Sequence, residues 1–382
     1  MILTEQQEMI RESAARFAAE RLAPNSRKWE AAGAVDPGVL REMGELGLMG
    51  MTVPEAHGGA GLDYVSYALA LIEIAAGDGA VSTIMSVNNA PVCAILQSAA
   101  SDALRQRYLR PLAAGEMIGA FALTEPQAGS DAANLKARAT RTDAGYEITG
   151  TKQFITSGRI AGVVIVFAVT DPSAGKRGIS AFVVRGGTPG MSITSVEHKM
   201  GQEASDTVQL SFDAVAVPAD HLVGNEGDGY RIALANLEAG RIGIAAQCVG
   251  MARAALDHAV AYAKERRSFG QALADHQAVA FRLADMATEL HAATVMVLEA
   301  AALRDAGRPC LKQACMAKLF ASEAAERICS DAIQIFGGYG YSRELPVEKI
   351  YRDVRVAQIY EGTSDVQRIL ISRQLLRESP GA

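Results

Sequence analysis

The sequence predicts an α+β chain of three consecutive domains: a helical domain over residues 1–117, a β domain over 118–225 and an antiparallel helical bundle over 226–382. Three observations predict it. Apolar residues recur at helical spacing up to about residue 114. Near Gly119 the pattern changes to short apolar runs separated by turn residues. Beyond Gly229 the helical period returns and persists in long segments joined by short links.

Composition narrows the function. A chain of 382 residues has room for two or three domains and a sizeable core. Ala and Gly are abundant while aromatics make up 5%, a balance that suits closely packed helices with small residues at their contacts. A net charge of −6 with no long basic run argues against nucleic acid as a partner. No uninterrupted apolar run reaches membrane-spanning length, so a membrane is not an expected partner. The opening Met-Ile-Leu-Thr-Glu has neither a signal-peptide nor a transit-peptide pattern, and a cytoplasmic location is expected. Cys93, Cys248, Cys310, Cys315 and Cys329 are odd in number and form no CxxC, so they read as buried, reduced thiols.

The first helix opens with a capping box, Thr4 and Gln7, followed by Ile10, Ala14, Phe17 and Ala18 at helical spacing. Trp29 reads as a packing anchor. Helices are expected over 39–48, 63–77, 80–98 and 102–114. The glycine-rich turn 54–61 lacks the spacing of a phosphate loop and reads as a connector.

In the β domain, strands are expected at 120–123, 136–142, 146–155, 163–169 and 179–184. Val208, Leu210 and Phe212 alternate with polar residues and add another. Two stretches here carry dense polar chemistry. Phe121-Ala122-Leu123-Thr124-Glu125-Pro126-Gln127-Ala128-Gly129-Ser130-Asp131 leaves a strand and turns, presenting hydroxyls, carboxylates and backbone N–H groups. Lys152-Gln153-Phe154-Ile155-Thr156-Ser157-Gly158 puts Phe154 and Thr156 on one side at strand period, a surface for a flat, polar-edged ring. Either alone is equally well turn or strand-end chemistry. Gly145 to Lys152 falls short of a P-loop because Thr151 separates Gly150 from Lys152.

The long helix after Gly229 carries Leu237, Arg241, Ile244, Cys248, Met251, Ala255 and Tyr262 on one stripe. Arg241 is a charge on the face that should be buried. Glu238 can pair with it in a structural bridge, or both can face a polar ligand at the mouth of the bundle. The helix ends at Arg266-Arg267-Ser268-Phe269-Gly270, groups that can hold a diphosphate and an adenine or complement the helix dipole. Later helices, expected over 275–304 and from 309, end at Gln334-Ile335-Phe336-Gly337-Gly338. Those glycines can admit a cofactor to the backbone or cap the helix.

The stretch Gln358 to Arg368 completes the pattern. Glu361 follows Ile359 and Tyr360, and Gly362 lets the backbone bend toward a ligand. Thr363 can cap the last helix. A carboxylate held there and partly desolvated is a candidate general base; taken alone it is equally a loop glutamate in an ordinary turn.

Together, Leu123-Thr-Glu-Pro-Gln-Ala-Gly-Ser-Asp131, Phe154-Ile-Thr156, Arg266-Arg-Ser-Phe-Gly270, Gln334-Ile-Phe-Gly-Gly338 and Tyr360-Glu-Gly-Thr363 resemble the acyl-CoA dehydrogenase family of flavoproteins over nearly the whole chain. Residues 237–257, with Gly240-Arg241-Ile242-Gly243-Ile244, and 84–89 look most like its short-chain, butyryl-type members. The resemblance implies a helical N-terminal domain, a middle β-barrel domain and a C-terminal four-helix bundle. It implies FAD between the last two and a homotetramer built as a dimer of dimers. It places Phe121, Leu123 and Thr124 at the flavin pyrimidine edge, Gly129 among the cofactor-binding residues, and Ser130 at flavin phosphate or the thioester arm. Phe154 would pack on the flavin and Thr156 reach its N5 region. Arg266, Ser268, Phe269, Gln334, Gly337 and Gly338 would hold the adenine and diphosphate, in part from a neighbouring subunit. Thr363 and Asp365 would touch FAD beyond the base. Glu238, Arg241, Tyr360 and Gly362 would line the acyl-CoA path.

The implied reaction is α,β-dehydrogenation of an acyl-CoA to a trans-2-enoyl-CoA. Glu361 takes the α proton, the β hydrogen passes as hydride to flavin N5, and electrons go on to an electron-transferring flavoprotein. Phe154 stands where tryptophan is usual in the family, and Ser157, Ser268 and Asp365 also depart from it. Some relatives carry the base on the long bundle helix, where this chain has Gly240. An oxidase or desulfinase-like relative on the same scaffold is the alternative enzyme reading, and a helical scaffold without flavin the non-enzymatic one.

Overall fold

The computed structural model describes residues 2–377. The chain opens with α1 (Glu5–Phe17), α2 (Ser26–Ala32), α3 (Pro37–Glu45), α4 (Tyr64–Gly77), α5 (Gly79–Val87), α6 (Ala94–Ala99) and α7 (Asp102–Ala113). The capping box forms: Thr4 Oγ1 accepts from Gln7 N at 3.2 Å and Gln7 Oε1 from Thr4 N at 3.0 Å. Asp36, Asp63 and Asp78 cap α3, α4 and α5 by accepting the backbone N–H of Gly38, Ser66 and Val81, without the reciprocal bond. The single helix expected over 80–98 is broken. Ala90 leaves the helical region at φ −139° because the residue before a proline is disfavoured there, and Pro91 offers no N–H. α4 and α5 are buried on nearly every face and form the floor between the other domains.

The middle region pairs β1 (Ile118–Ala122), β2 (Arg138–Thr142), β3 (Gly145–Thr156), β4 (Ala161–Val169), β5 (Ile179–Arg185), β6 (Met191–Val196), β7 (Thr207–Pro218) and β8 (Leu222–Val223). Their order is β6-β7-β3-β2-β4-β5-β8, with β1 parallel to β4. Pairing therefore runs as a path with two ends, β6 and β8, and not as the closed ring that a β-barrel implies. β4 is the continuous buried run that the sequence shows at 163–169. β6 and β8 escape the sequence reading for simple reasons. β6 is almost wholly exposed and has no apolar face, and β8 is two residues long.

The last region is built on α8 (Gly229–Glu265), followed by the short hairpin β9 (Arg267–Ser268) and β10 (Gln271–Ala272), then α9 (Gln277–Asp305), α10 (Leu311–Phe336), α11 (Val347–Val354) and α12 (Ser364–Leu375). α10 packs on α8 and α9, and α4 packs on the same two helices. This is why α8 is buried all round from Ala239 to Ala252. Two stretches, Gly79–Ala99 and Gln277–Asp305, are long and apolar enough to cross a membrane by composition, which run length alone does not suggest. The first is 94% buried within the protein, and the second carries charges along its length as α9 of the bundle. The five cysteines are buried and free.

Candidate active site

After α11 a 3-10 turn, Arg355–Gln358, leads into a reversal at Glu361 (φ 49°) and Gly362 (φ 90°). Thr363 Oγ1 then accepts from Val366 N at 3.3 Å and starts α12. A left-handed glutamate costs about 1–2 kcal/mol, so the surroundings must impose it. They do so with buried side chains: Lys318 Nζ of α10 donates to Gly362 O at 2.7 Å, and Gln367 Nε2 of α12 donates to the same oxygen at 2.9 Å. Glycine is needed here for its φ, and a Cβ would also meet Gln367 Nε2 at 2.8 Å and displace one of the two donors to this carbonyl.

The turn presses the Glu361 carboxylate against α8. A Cβ on Gly240 would lie 2.1 Å from Glu361 Oε2. That oxygen is inaccessible to water and has no hydrogen-bond partner. Burial pushes the carboxyl up to about 7, opposed in part by the positive charges of Lys318 and Arg241. An acceptor with an unfilled lone pair and a pKa near neutrality is what proton abstraction at neutral pH requires.

Buried amides and hydroxyls hold the preceding residue. Tyr360 OH donates to Gln247 Oε1 at 2.8 Å, and Thr83 Oγ1 donates to Gln202 Oε1 at 2.7 Å and towards Gln247 Oε1 at 3.3 Å. Residues of α5, α8 and the β7 approach thus meet at Tyr360, next to Glu361. Arg241 is buried beside it with Nε unpartnered. Glu238 does not pair along the helix with Arg241. It accepts from Cys310 Sγ at 3.2 Å and lies 3.5 Å from Arg304 Nη1, tying α8 to α9 and to the start of α10. The expected Glu238–Arg241 bridge is therefore replaced by contacts from Glu238 to the neighbouring helices.

The β-domain residues form a separate face. Phe121 packs edge-on against Phe167 at 5.1 Å. Leu123 is buried and its carbonyl accepts from Lys152 Nζ at 3.0 Å, while Thr124 O accepts from Gln153 N at 2.9 Å. Gly129 and Ser130 are exposed. Lys152 also pairs with Glu125 at 2.8 Å, both wholly buried; Glu125 further accepts from the N–H groups of Lys136 and Ala137. The 123–131 loop is thereby anchored from beneath. Phe154 has φ 57° and is 61% exposed, sitting where β3 slips register against β7 between Lys152 and Ile155. The strand-period argument for Phe154 and Thr156 does not carry across that bulge, which re-aims the chain. Ser157 Oγ is buried without a partner beside them.

A third group gathers at the far ends of α8 and α10. Arg266 lies over the Tyr339 ring at 5.7 Å and shares with Phe336, Gly337 and Gly338 an open cavity of about 620 Å³. No atom lies within 4 Å of where a Cβ on Gly337 or Gly338 would sit. Ser268 Oγ is 3.2 Å from His276 Nε2, Phe269 at φ 48° is 99% exposed, and Gln334 is exposed. Asp365 is exposed and lies 3.6 Å from Arg368 Nη1. The structure thus brings Tyr360, Glu361, Gly362 and Arg241 together, with the Arg266 group at the other end of α8.

Sequence reasoning missed Lys318, Gln367, Gln247 and Gln202. A signal for Lys318 was present: it interrupts the buried row Ala314, Ala317, Ala321 and Ala325 of α10.

A helical domain, a β domain and a helical bundle around a desolvated carboxylate define the acyl-CoA dehydrogenase class, and the chain belongs to that family. Residues 4–116, 120–215 and 227–376 match the N-terminal, middle and C-terminal acyl-CoA dehydrogenase domains. The chain is 46% identical to an acyl-CoA dehydrogenase of Bacillus subtilis, over 98% of this chain and 99% of that one. It is 43% identical to the mitochondrial short-chain specific acyl-CoA dehydrogenase of Bos taurus, covering 98% and 91%. The solved butyryl-CoA dehydrogenase of Megasphaera elsdenii superposes with a TM-score of 0.96 at 41% identity, covering 99% of this chain and all of that one.

Proposed function

We propose that this enzyme converts a short-chain acyl-CoA to its trans-2-enoyl-CoA with Glu361 as the α-proton base. The observation that carries this reading is the Glu361 carboxylate itself: oriented by a left-handed turn, with Oε2 shut from water and unpartnered, and raised to about 7. The α C–H of a thioester is a weak acid, so a base near neutral pKa works only if the thioester oxygen is also held; the N–H of Glu361 is the donor proposed for it. Arg241, Tyr360 and Gly362 line the approach, Ser130 meets the thioester arm, and Glu238 stiffens the wall.

The residues present fit FAD. Phe154 projects from a rigid bulge, Ser157 Oγ waits unpartnered beside Thr156, and Gly337 and Gly338 leave open backbone next to Arg266. Bound FAD supplies the two-electron acceptor for the β hydrogen. Phe121, Leu123, Thr124, Gly129, Phe154 and Thr156 would hold its ring, with Thr363 and Asp365 beyond. Arg266, Ser268, Phe269, Gln334, Gly337 and Gly338 would hold its adenine and diphosphate. Gly240 and Arg266 are 26 positions apart on one helix, about 39 Å, farther than one extended dinucleotide reaches. The second group therefore serves a neighbouring subunit's cofactor, which supports a homotetramer. The exposed Phe269, Phe281 and Tyr341 suit buried contacts in that assembly. Electron-transferring flavoprotein is the proposed acceptor. The test is Glu361→Gln: flavin absorbance and butyryl-CoA binding stay, while turnover falls by at least three orders of magnitude. Turnover within tenfold of wild type overturns the assignment.

A further inference from the structure

We propose that Lys318 is a positioning residue for proton abstraction, its ammonium pinning the Gly362 carbonyl from α10 and so fixing the turn that presents Glu361. The proposal rests on Glu361 being the base. Lys318 is wholly buried, so it does not snorkel to solvent. Among the described residues no carboxylate lies within 4 Å of its Nζ, and its close acceptor is Gly362 O at 2.7 Å. Burying an ammonium costs several kcal/mol, yet the protein spends it on one backbone oxygen next to the base. Gln367, equally buried, donates to that oxygen at 2.9 Å and reaches the Glu361 carbonyl at 3.4 Å. Two side chains from two helices thus converge on the Gly362 carbonyl, directly after the two residues, Glu361 and Gly362, that turn the chain at positive φ.

The same ammonium acts on the carboxylate through space. Lys318 faces Cys248 and Arg241 of α8, Cys315 of its own helix, and Glu361 of the turn. Tyr67 of α4 and Tyr360 also face Glu361. The cations near Glu361 are Lys318 and Arg241, and both oppose the rise that burial imposes. Removing Lys318 takes away the tether and one of these two charges, and it leaves the fold of α10 intact, since Met and Gln are good helix formers.

The experiment compares wild type, Lys318→Met, Lys318→Gln and Glu361→Gln as FAD-loaded enzymes. The rate of flavin bleaching by butyryl-CoA in a single anaerobic turnover is followed against pH. An infrared titration of the carboxyl band that Glu361→Gln lacks gives the pKa of the base without turnover. The midpoint should rise by about one unit in both lysine variants, since a nearby opposite charge favours the ionised carboxyl by one unit or more. The plateau rate of Lys318→Met should fall at least tenfold. A purely structural lysine would move stability and leave the midpoint in place. Wild-type midpoints by both readouts overturn the proposal, and if Lys318→Met does not fold, Lys318→Gln decides it by the same midpoint. If Glu361→Gln retains turnover, the base assignment falls and this proposal with it; if that variant is inactive and the lysine midpoints do not move, this proposal alone falls.

Discussion

Gly240→Ala tests the packing of Glu361 against α8. The added methyl would lie 2.1 Å from Glu361 Oε2 and 3.0 Å from its Cδ, where ordinary contact begins near 3.4 Å. The carboxylate must therefore retreat by about 1.3 Å. Oε2 is the free end of a side chain, so the retreat costs the fold little, and alanine is favoured over glycine inside a helix by about 1 kcal/mol. Stability should hold or rise slightly. Catalysis should not follow it: a misplacement of about 1 Å between reacting groups can cost about a hundredfold in rate, about 2.7 kcal/mol of barrier. The assay is the rate of flavin bleaching at saturating butyryl-CoA, with thermal unfolding of the same sample. A variant that reduces its flavin within threefold of wild type at unchanged melting temperature refutes the contact between Glu361 and α8.

Glu361 should also make the protein less stable at alkaline pH. Its folded pKa near 7 lies above the ordinary carboxylate value, so the folded state binds the extra proton, and stability falls as pH climbs from about 4.5 through 7. Gln does not titrate, so Glu361→Gln should melt higher than wild type at pH 8, by at most about 3 kcal/mol, and converge with it near pH 4.5; a difference independent of pH would contradict the burial. Lys152→Met should leave Glu125 buried without its cation and cost about 3–5 kcal/mol, seen as a large fall in melting temperature. Replacing both partners, Lys152→Met with Glu125→Leu, should recover part of that loss, and equal melting points for the single variant and wild type would mean that the pair does not hold the 123–131 loop.

The elements that sequence made legible are those where one local signal dominates. The capping box at Thr4, the buried run of β4 and the cap at Thr363 all form as their residue types require. Glu361 was legible because a carboxylate, a glycine and a capping hydroxyl are contiguous. Lys318 and Gln367 were not. Each acts on Gly362 from a different helix, and no local pattern records which carbonyl a buried lysine will find. Phe154 shows the opposite failure: period-2 reasoning assumes unbroken register, and the bulge between Lys152 and Ile155 breaks it.

The glycines of α8 divide into those that serve helix packing and the one that serves the Glu361 turn. A Cβ on Gly250 would lie 2.2 Å from the Ile72 carbonyl oxygen of α4, and one on Gly243 would crowd Ser86 Oγ at 2.9 Å and Tyr67 OH at 3.0 Å. With Gly240 they form a strip on which α4, α5 and the Glu361 turn all approach the α8 backbone closely. Each glycine costs the helix about 1 kcal/mol relative to alanine, and close packing must return it. At Gly250 the return is helix–helix contact, since the atom met is backbone and cannot move. At Gly240 the atom met is a carboxylate oxygen that could move, so packing gains little there. What that glycine secures is room for the desolvated Glu361 carboxylate, so Gly240 serves the site and Gly250 serves the fold.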